Sequence, residues 1–145
     1  MFARYINLMG TVALHTLAWF VVLMISALEI TTCTMGSEDA WLATVVVGVP
    51  LLLIISALIP FTKQFEWAKW LSLPQVALIP WAFFVVIRYF IGVTLQGNHF
   101  CAVLREPAFN SYSSSWWAPY WAPVMLCSIM VLIFSYGYVW RGKIS

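Results

Sequence analysis

Residues 41–59 read WLATVVVGVPLLLIISALI, and this stretch decides the fold class of the chain. It carries no charged side chain, and roughly 20 apolar residues are enough for an α-helix to cross the hydrocarbon core of a bilayer. Because lipid offers no hydrogen-bond partners, a chain that crosses it forms either helices or a closed barrel. A barrel strand alternates apolar and polar residues, whereas this run is continuously apolar. The stretch therefore predicts a transmembrane helix.

Three other long apolar stretches follow the same rule, with Glu29 and Arg88 as the charges they contain, so we predict four spans, at residues 11–30, 41–59, 73–93 and 118–138. The composition agrees, since 63% of the residues are hydrophobic and only 8% are charged. A soluble globular domain has about a quarter of its residues charged, so that class is excluded. We expect an all-α, four-helix transmembrane bundle that forms a single polytopic membrane domain over residues 1–145. Its loops are short, except for the one between the third and fourth spans.

The basic residues of the loops predict the orientation of the bundle, because Lys and Arg accumulate on the cytoplasmic side. Arg105 falls on one side of the predicted membrane. The other side carries five basic residues: Arg4, Lys63, Lys69, Arg141 and Lys143. Both termini and the middle loop are therefore expected in the cytoplasm, with the long loop outside it, and a bacterial inner membrane is the expected location. Trp19 and Trp81 fall in mid-span, where we expect them to fill gaps in the core or between helices.

Two of the three cysteines fall in the predicted outer loops. Cys33 lies in the first outer loop and Cys101 in the second. Because a compartment outside the cytoplasm permits disulfides, we predict a Cys33–Cys101 bond, with two free thiols as the alternative. Cys127 lies inside the fourth span, where a cysteine usually packs as a small apolar residue. The chain has no reactive Cys-x-x-Cys pair, which argues against a membrane thiol oxidoreductase.

Small and polar residues mark the predicted contact faces of the first two spans. At helical spacing, one side of the first span collects Thr11, His15, Ala18, Ser26 and Glu29. The second span offers Thr44 and Gly48 on a matching small stripe. Such residues face other helices rather than lipid, because they permit close approach and hydrogen bonding. We therefore predict a helix–helix contact face. For His15 the simplest interpretation is a neutral imidazole bonded to a neighbouring helix. Haem ligation, quinone binding and proton relay are the alternatives.

Arg88 is a charge inside the third predicted span. Charged groups within a membrane are costly and are usually paired or functional. Glu29 falls at a similar depth at the outer end of the first span, so we predict an intramembrane Glu29–Arg88 ion pair. In one alternative, Arg88 extends to the outer interface. In the other, it binds an anionic substrate or a lipid headgroup.

Few patterns in the sequence point to catalysis. No carboxylate falls near the middle of a span, no phosphate-binding loop occurs, and basic residues are too scattered for a nucleic-acid surface. We expect no metal, no cofactor, no catalytic residue and no nucleic acid. In outline the chain resembles small four-span proteins such as accessory subunits of respiratory or transport complexes, a likeness of shape that assigns no residue role.

The expected function is a non-catalytic membrane subunit whose partners are other integral membrane subunits and lipids. Its spans would pack against the helices of the partner subunits within a larger assembly. Three alternatives stay open: a small homo-oligomeric transporter or channel, a quinone-handling or redox membrane protein, and an immunity or exclusion protein.

Overall fold

The computed structural model describes residues 2–28, 44–104 and 118–141. In this part of the chain every regular element is a helix, and no strand occurs. The helices are α1 (Phe2–Ala27), α2 (Thr44–Gln64), α3 (Ala68–Leu95), the short α4 (Phe100–Leu104) and α5 (Ala118–Trp140). Four of them, α1, α2, α3 and α5, are long and apolar enough to cross a membrane. The all-α fold class predicted from the apolar runs is therefore confirmed.

The observed helices extend beyond the predicted spans at several ends. The first begins at Phe2 rather than at residue 11. The second continues past residue 59 through a 3-10 segment, Ile59–Gln64, in which proline occupies the first turn. Pro60 has no N–H to continue the α-helical bonding of the preceding turn, which fits the change to 3-10 winding there. The third begins at Ala68, so only three residues separate α2 from α3.

The four long helices pack in the ring order α1, α3, α5, α2, so α1 and α5 lie on one diagonal. Their chain directions alternate up and down. The indole N–H of Trp140 donates to Ser72 Oγ at 3.0 Å, which places the end of α5 beside the start of α3. The Lys63 ammonium lies 4.4 Å from the centroid of the Tyr138 ring, which places the end of α2 there too. We call this end, which carries Lys63, Lys69 and Arg141, the basic end.

The core contains aliphatic side chains from all four long helices. Its fully buried members include Val21, Ile25, Leu52, Ile55, Val86, Met125, Ile129 and Leu132. Trp19 and Trp81 are not among them, since 41% of Trp19 and 51% of Trp81 is exposed on the outer surface of the bundle. The two tryptophans therefore do not fill the core, and the other place expected for them, between helices, stays a prediction. Cys127 also lies on the outer surface, with a free thiol, rather than packing inside.

Pro80 and Pro123 each interrupt the hydrogen bonding inside a long helix. Pro123 lies inside α5 and has no N–H to donate to the carbonyl of Pro119. Thr94 supplies the missing donor, because its hydroxyl bonds Pro119 O at 2.9 Å. Pro80 lies inside α3 and in the same way deprives the carbonyl of Val76 of its helical donor. Thr94 itself lies in a π-helical turn, Phe90–Leu95, that ends α3.

Candidate functional site: a buried polar cluster

Each long helix contributes one polar side chain to a cluster inside the bundle, towards its basic end. We call His15 of α1, Thr62 of α2, Gln75 of α3 and Tyr136 of α5 the central cluster. All four side chains are buried, and His15 and Gln75 are each only 1% exposed. A polar group in so apolar a surrounding is stable only when its hydrogen bonds are made within the protein. The cluster is therefore where the packing of all four helices is specified together.

His15 contacts a different helix through each of its ring nitrogens. Its Nε2 lies 3.4 Å from Thr62 Oγ1, and its Nδ1 lies 3.5 Å from the Tyr136 hydroxyl, both at the long end of hydrogen-bond distances. The Tyr136 contact crosses the diagonal of the bundle, and the two ring centroids are 5.9 Å apart.

The hydrogen bond that Thr62 donates assigns the tautomer of His15. Thr62 uses its single hydroxyl hydrogen to bond Ile59 O at 2.7 Å, so Thr62 Oγ1 can only accept from His15. The imidazole hydrogen therefore lies on Nε2, and Nδ1 accepts from the phenol of Tyr136. A neutral imidazole satisfies every member of the chain from Tyr136 through His15 and Thr62 to the Ile59 carbonyl. The chain ends at that carbonyl, which cannot pass on a proton.

Gln75 links α3 to α1 through the backbone. Its Nε2 donates to the carbonyl oxygen of His15 at 2.6 Å. Its Oε1 is buried and has no hydrogen-bond partner among the described residues. The amide orientation is fixed nonetheless, because exchanging the two atoms would place two acceptors against each other. One bond of this amide thus holds the register of α1 and α3.

Ser72 forms a second polar contact nearer the basic end. It is completely buried, donates to Lys69 O at 2.6 Å and accepts the bond from Trp140. This bond ties α5 to α3 through Trp140. The nearest signal in the sequence is the Ser-Leu-Pro run, which is typical of a helix start.

Two surface grooves flank the central cluster. The larger, about 470 Å³, lies between α3 and α5, and we call it the α3–α5 groove. The smaller, about 310 Å³, lies between α1 and α2 near the basic end. Tyr136 lines the first groove and Thr62 lines the second. The hydrogen-bonded chain through His15 therefore crosses the bundle from one groove to the other.

The structure places most of the predicted contact face inside the bundle. Thr11, His15, Ala18, Thr44 and Gly48 are buried. A Cβ built on Gly48 would lie 3.8 Å from the Val21 side chain, so α1 and α2 approach closely there. Ser26 is half-buried, and its hydroxyl bonds its own helix at Val22 O, 2.8 Å away. Thr11 does the same at Asn7 O, also 2.8 Å away.

Arg88 is half-buried near the end of α3. Its guanidinium donates to Val103 O at 3.0 Å, which ties α3 to the short helix α4, and it lies 5.7 Å from the centroid of the Phe84 ring. Glu29 lies outside the described residues, so the Glu29–Arg88 ion pair stays a prediction. Cys101 is buried in α4, whereas Cys33 also lies outside the described residues. The Cys33–Cys101 disulfide likewise stays a prediction.

Within residues 2–28, 44–104 and 118–141, no three His, Cys, Asp or Glu side chains come close enough together to hold a metal ion. No protein-family model, curated protein or solved structure matches the chain.

Proposed function

We propose that this chain is a non-catalytic integral membrane subunit that packs against the helices of partner subunits in a larger membrane complex. In this proposal it lies in a bacterial inner membrane, with both termini and the α2–α3 connection in the cytoplasm. The basic end supports the orientation, because Lys63, Lys69 and Arg141 lie there together. Lipids are the other expected neighbours of the bundle.

The observation that carries the proposal is a pair of outward-facing tryptophans at one height on adjoining helices. Gln75 bonds the backbone of His15, and α1 and α3 run in the same direction. Residue 81 therefore lies roughly level with residue 21, which is two residues, or about 3 Å along the helix axis, from Trp19. Both indoles are substantially exposed, and the ring centroids of Trp81 and Phe84 are 5.9 Å apart. We call Trp19, Phe20, Trp81 and Phe84 the aromatic face.

The known preferences of tryptophan indicate what the exposed side chains of Trp19 and Trp81 contact. Trp in contact with lipid prefers the headgroup region, where its N–H finds a polar partner. Trp is also enriched among the residues that dominate binding energy at protein interfaces. Between helices in lipid, association comes from packing and hydrogen bonds rather than from the hydrophobic effect. Large rigid rings in mid-helix suit such packing, so the aromatic face fits the surface of a partner helix.

The central cluster supports the non-catalytic part of the proposal. Its hydrogen-bonded chain links side chains of three helices and ends on a backbone carbonyl, and Gln75 joins the fourth helix to it. Hydrogen bonds between side chains of different helices fix the relative positions of those helices. This role accounts for an intramembrane histidine without turnover.

The experiment compares two exposed aromatic positions with a matched third. A tagged chain is extracted in mild detergent and analysed on native gels, with mass spectrometry of the chains that co-migrate. We expect the wild-type chain to migrate in a complex with other integral membrane chains, and Trp19→Leu/Trp81→Leu to migrate as a free protein. Phe134→Leu is the control, because Phe134 on α5 is 70% exposed and lies outside the aromatic face.

Co-expression of two differently tagged copies separates a hetero-complex from self-association. If the copies purify together and no other chain is present, the homo-oligomeric alternative holds and the proposal is wrong. It is equally wrong if the double tryptophan variant stays in the complex at the wild-type level.

A further inference from the structure

The α3–α5 groove runs from the basic end into the apolar part of the bundle. On α3 it extends from Val76 to Phe83, and on α5 from Trp140 back to Ile133, since the two helices run in opposite directions. Seven residues of helix span about 10 Å, and the hydrocarbon layer of one leaflet is about 15 Å thick. The groove can therefore hold an acyl chain through most of one leaflet.

The α5 wall of the groove continues into Arg141. Ile133, Gly137 and Arg141 follow one another at intervals of four residues, and residues so spaced share one side of a helix. The first two line the groove. The backbone N–H of Arg141 donates to Gly137 O at 3.0 Å, so the helical bonding reaches this residue. The exposed Arg141 therefore lies in line with the groove, one turn beyond it at the basic end.

The α3 wall continues in the same way to Lys69. Lys69 precedes Val76 by seven residues, or two turns, which places both on one side of α3. Two backbone bonds keep the helical winding between them, because Ser72 N–H donates to Lys69 O at 3.1 Å and Val76 N–H donates to Ser72 O at 2.9 Å. The bond from Trp140 to Ser72 Oγ holds the two helix ends together. One basic residue thus lies at the end of each wall.

The charge at this end of the bundle is positive. Lys63, Lys69 and Arg141 lie there, and Glu66 is the one carboxylate among the described residues. The Lys63 ammonium, at the end of α2, lies 4.4 Å from the centroid of the Tyr138 ring. It therefore joins α2 to α5, whereas Lys69 and Arg141 are the cations aligned with the groove.

The apolar groove and its cationic end together indicate the chemistry of an occupant. A lipid without net charge fills the groove but leaves both cations without a counter-charge. A soluble anion meets the cations but leaves the groove unfilled. An anionic phospholipid satisfies both, and basic pockets between transmembrane helices are known to bind the headgroups of such lipids.

We propose that the α3–α5 groove binds an anionic phospholipid, with one acyl chain in the groove and the phosphate group between Lys69 and Arg141. The proposal goes beyond the function proposed above, because it names one class of lipid and one site. It requires that the four long helices cross a membrane, but it does not require partner subunits. The aromatic face lies between α1 and α3, so a chain without partners keeps the lipid site.

The test compares two phospholipids that share their acyl chains and differ in headgroup charge. The purified full chain in detergent micelles is titrated with dioleoylphosphatidylglycerol or with dioleoylphosphatidylcholine, and native mass spectrometry counts the lipids retained. One basic residue near an anionic headgroup is worth about fivefold in affinity. We therefore expect the first phosphatidylglycerol to bind at least about fivefold more tightly than the first phosphatidylcholine.

Four variants locate the site. Arg141→Gln and Lys69→Gln should each lower the affinity for phosphatidylglycerol about fivefold and leave that for phosphatidylcholine unchanged. Lys63→Gln is the matched control, since it removes the same charge from the same end of the bundle but outside the line of the groove, and it should keep the preference. Gly137→Leu should weaken the binding of both lipids. A Cβ on Gly137 would meet no heavy atom within 4 Å, so a larger side chain can extend into the groove.

Equal affinity for the two lipids would overturn the proposal. A loss of preference in Lys63→Gln as large as that in Arg141→Gln would also overturn it, because the attraction would then come from the whole basic end. Competition by soluble glycerol phosphate, with no effect of Gly137→Leu, would show a site for a free anion and would contradict the lipid site. If neither lipid binds and Gly137→Leu releases partner chains from the native complex, a partner helix occupies the groove and the proposal is wrong.

Discussion

His15 shows how one buried side chain can set the arrangement of several helices. Its ring contacts Thr62 on α2 and Tyr136 on α5, and its carbonyl accepts from Gln75 on α3. Because the Thr62 hydroxyl is already committed to Ile59 O, the donor on Nε2 and the acceptor on Nδ1 are both determined. A side chain that offers one donor and one acceptor in the same place can therefore substitute for the imidazole.

We expect His15→Gln to be mild, with a loss of stability of less than about 1 kcal/mol, because its amide retains a donor and an acceptor. His15→Leu should cost about 1–3 kcal/mol, since the buried Tyr136 hydroxyl loses the one partner that the structure shows for it. Unfolding in mixed detergent micelles measures both.

A second variant and a control test whether the orphaned Tyr136 hydroxyl causes the loss of stability in His15→Leu. Tyr136→Phe added to His15→Leu should recover most of the loss, because no orphaned hydroxyl then remains. Thr16→Val should be close to neutral, as Thr16 is exposed and bonds only Val12 O of its own helix. Strictly additive losses in the double variant would contradict this account.

At the scale of the element, two of the long helices contain a π-helical turn. A π-helical turn, Thr44–Gly48, ends two residues before Pro50, and a second one, Phe90–Leu95, ends α3. The second turn places Thr94 against the carbonyl that Pro123 frees in α5. In the same turn, a Cβ on Gly92 would overlap the Val103 side chain, so glycine is required for α4 to pack against α3. These irregularities therefore serve contacts between elements.

We expect Thr94→Val to lower the stability of the bundle by about 1–2 kcal/mol, because the carbonyl of Pro119 then has no donor. Adding Pro123→Ala should restore the loss, since the alanine N–H reforms the helical bond to that carbonyl. Thermal unfolding of the wild type and the three variants in one detergent provides the comparison. If Pro123→Ala stabilises the wild type and Thr94→Val equally, Thr94 does not act through Pro119.

At the scale of the whole molecule, the up-and-down order of the helices gathers the basic residues at one end. Lys63 and Lys69 flank the α2–α3 connection, and Arg141 follows α5. Retention of Lys and Arg on the cytoplasmic side is the rule for short loops. The proposed orientation of the bundle rests on this charge distribution together with the alternating directions of the helices.

The orientation is tested with single cysteines in a chain whose native cysteines are replaced by serine. Ser113→Cys should react with an impermeant maleimide in intact cells, whereas Lys63→Cys should react only after the membrane is opened. Labelling of Lys63→Cys in intact cells would reverse the proposed topology. Labelling after permeabilisation is the control that both thiols are accessible.

The sequence by itself determined that the chain forms four apolar helices, because helical hydrogen bonds join residues four apart and an uncharged run of sufficient length specifies them locally. It also singled out His15, since a polar residue in such a run is conspicuous. Only the tertiary structure decided which side chains contact His15. Thr62, Gln75 and Tyr136 come from three other helices, and their convergence depends on helix order, rotation and register.

The same distinction explains the tryptophans and the groove. Composition and spacing placed Trp19 and Trp81 in mid-helix but could not decide which way they face. Lipid, a core and a partner helix are all apolar, so helical periodicity does not separate them. The α3–α5 groove and the bond from Thr94 to the carbonyl that Pro123 frees likewise come from the packing of separate helices. Those outcomes depend on neighbours distant in the chain, and a local pattern carries no information about them.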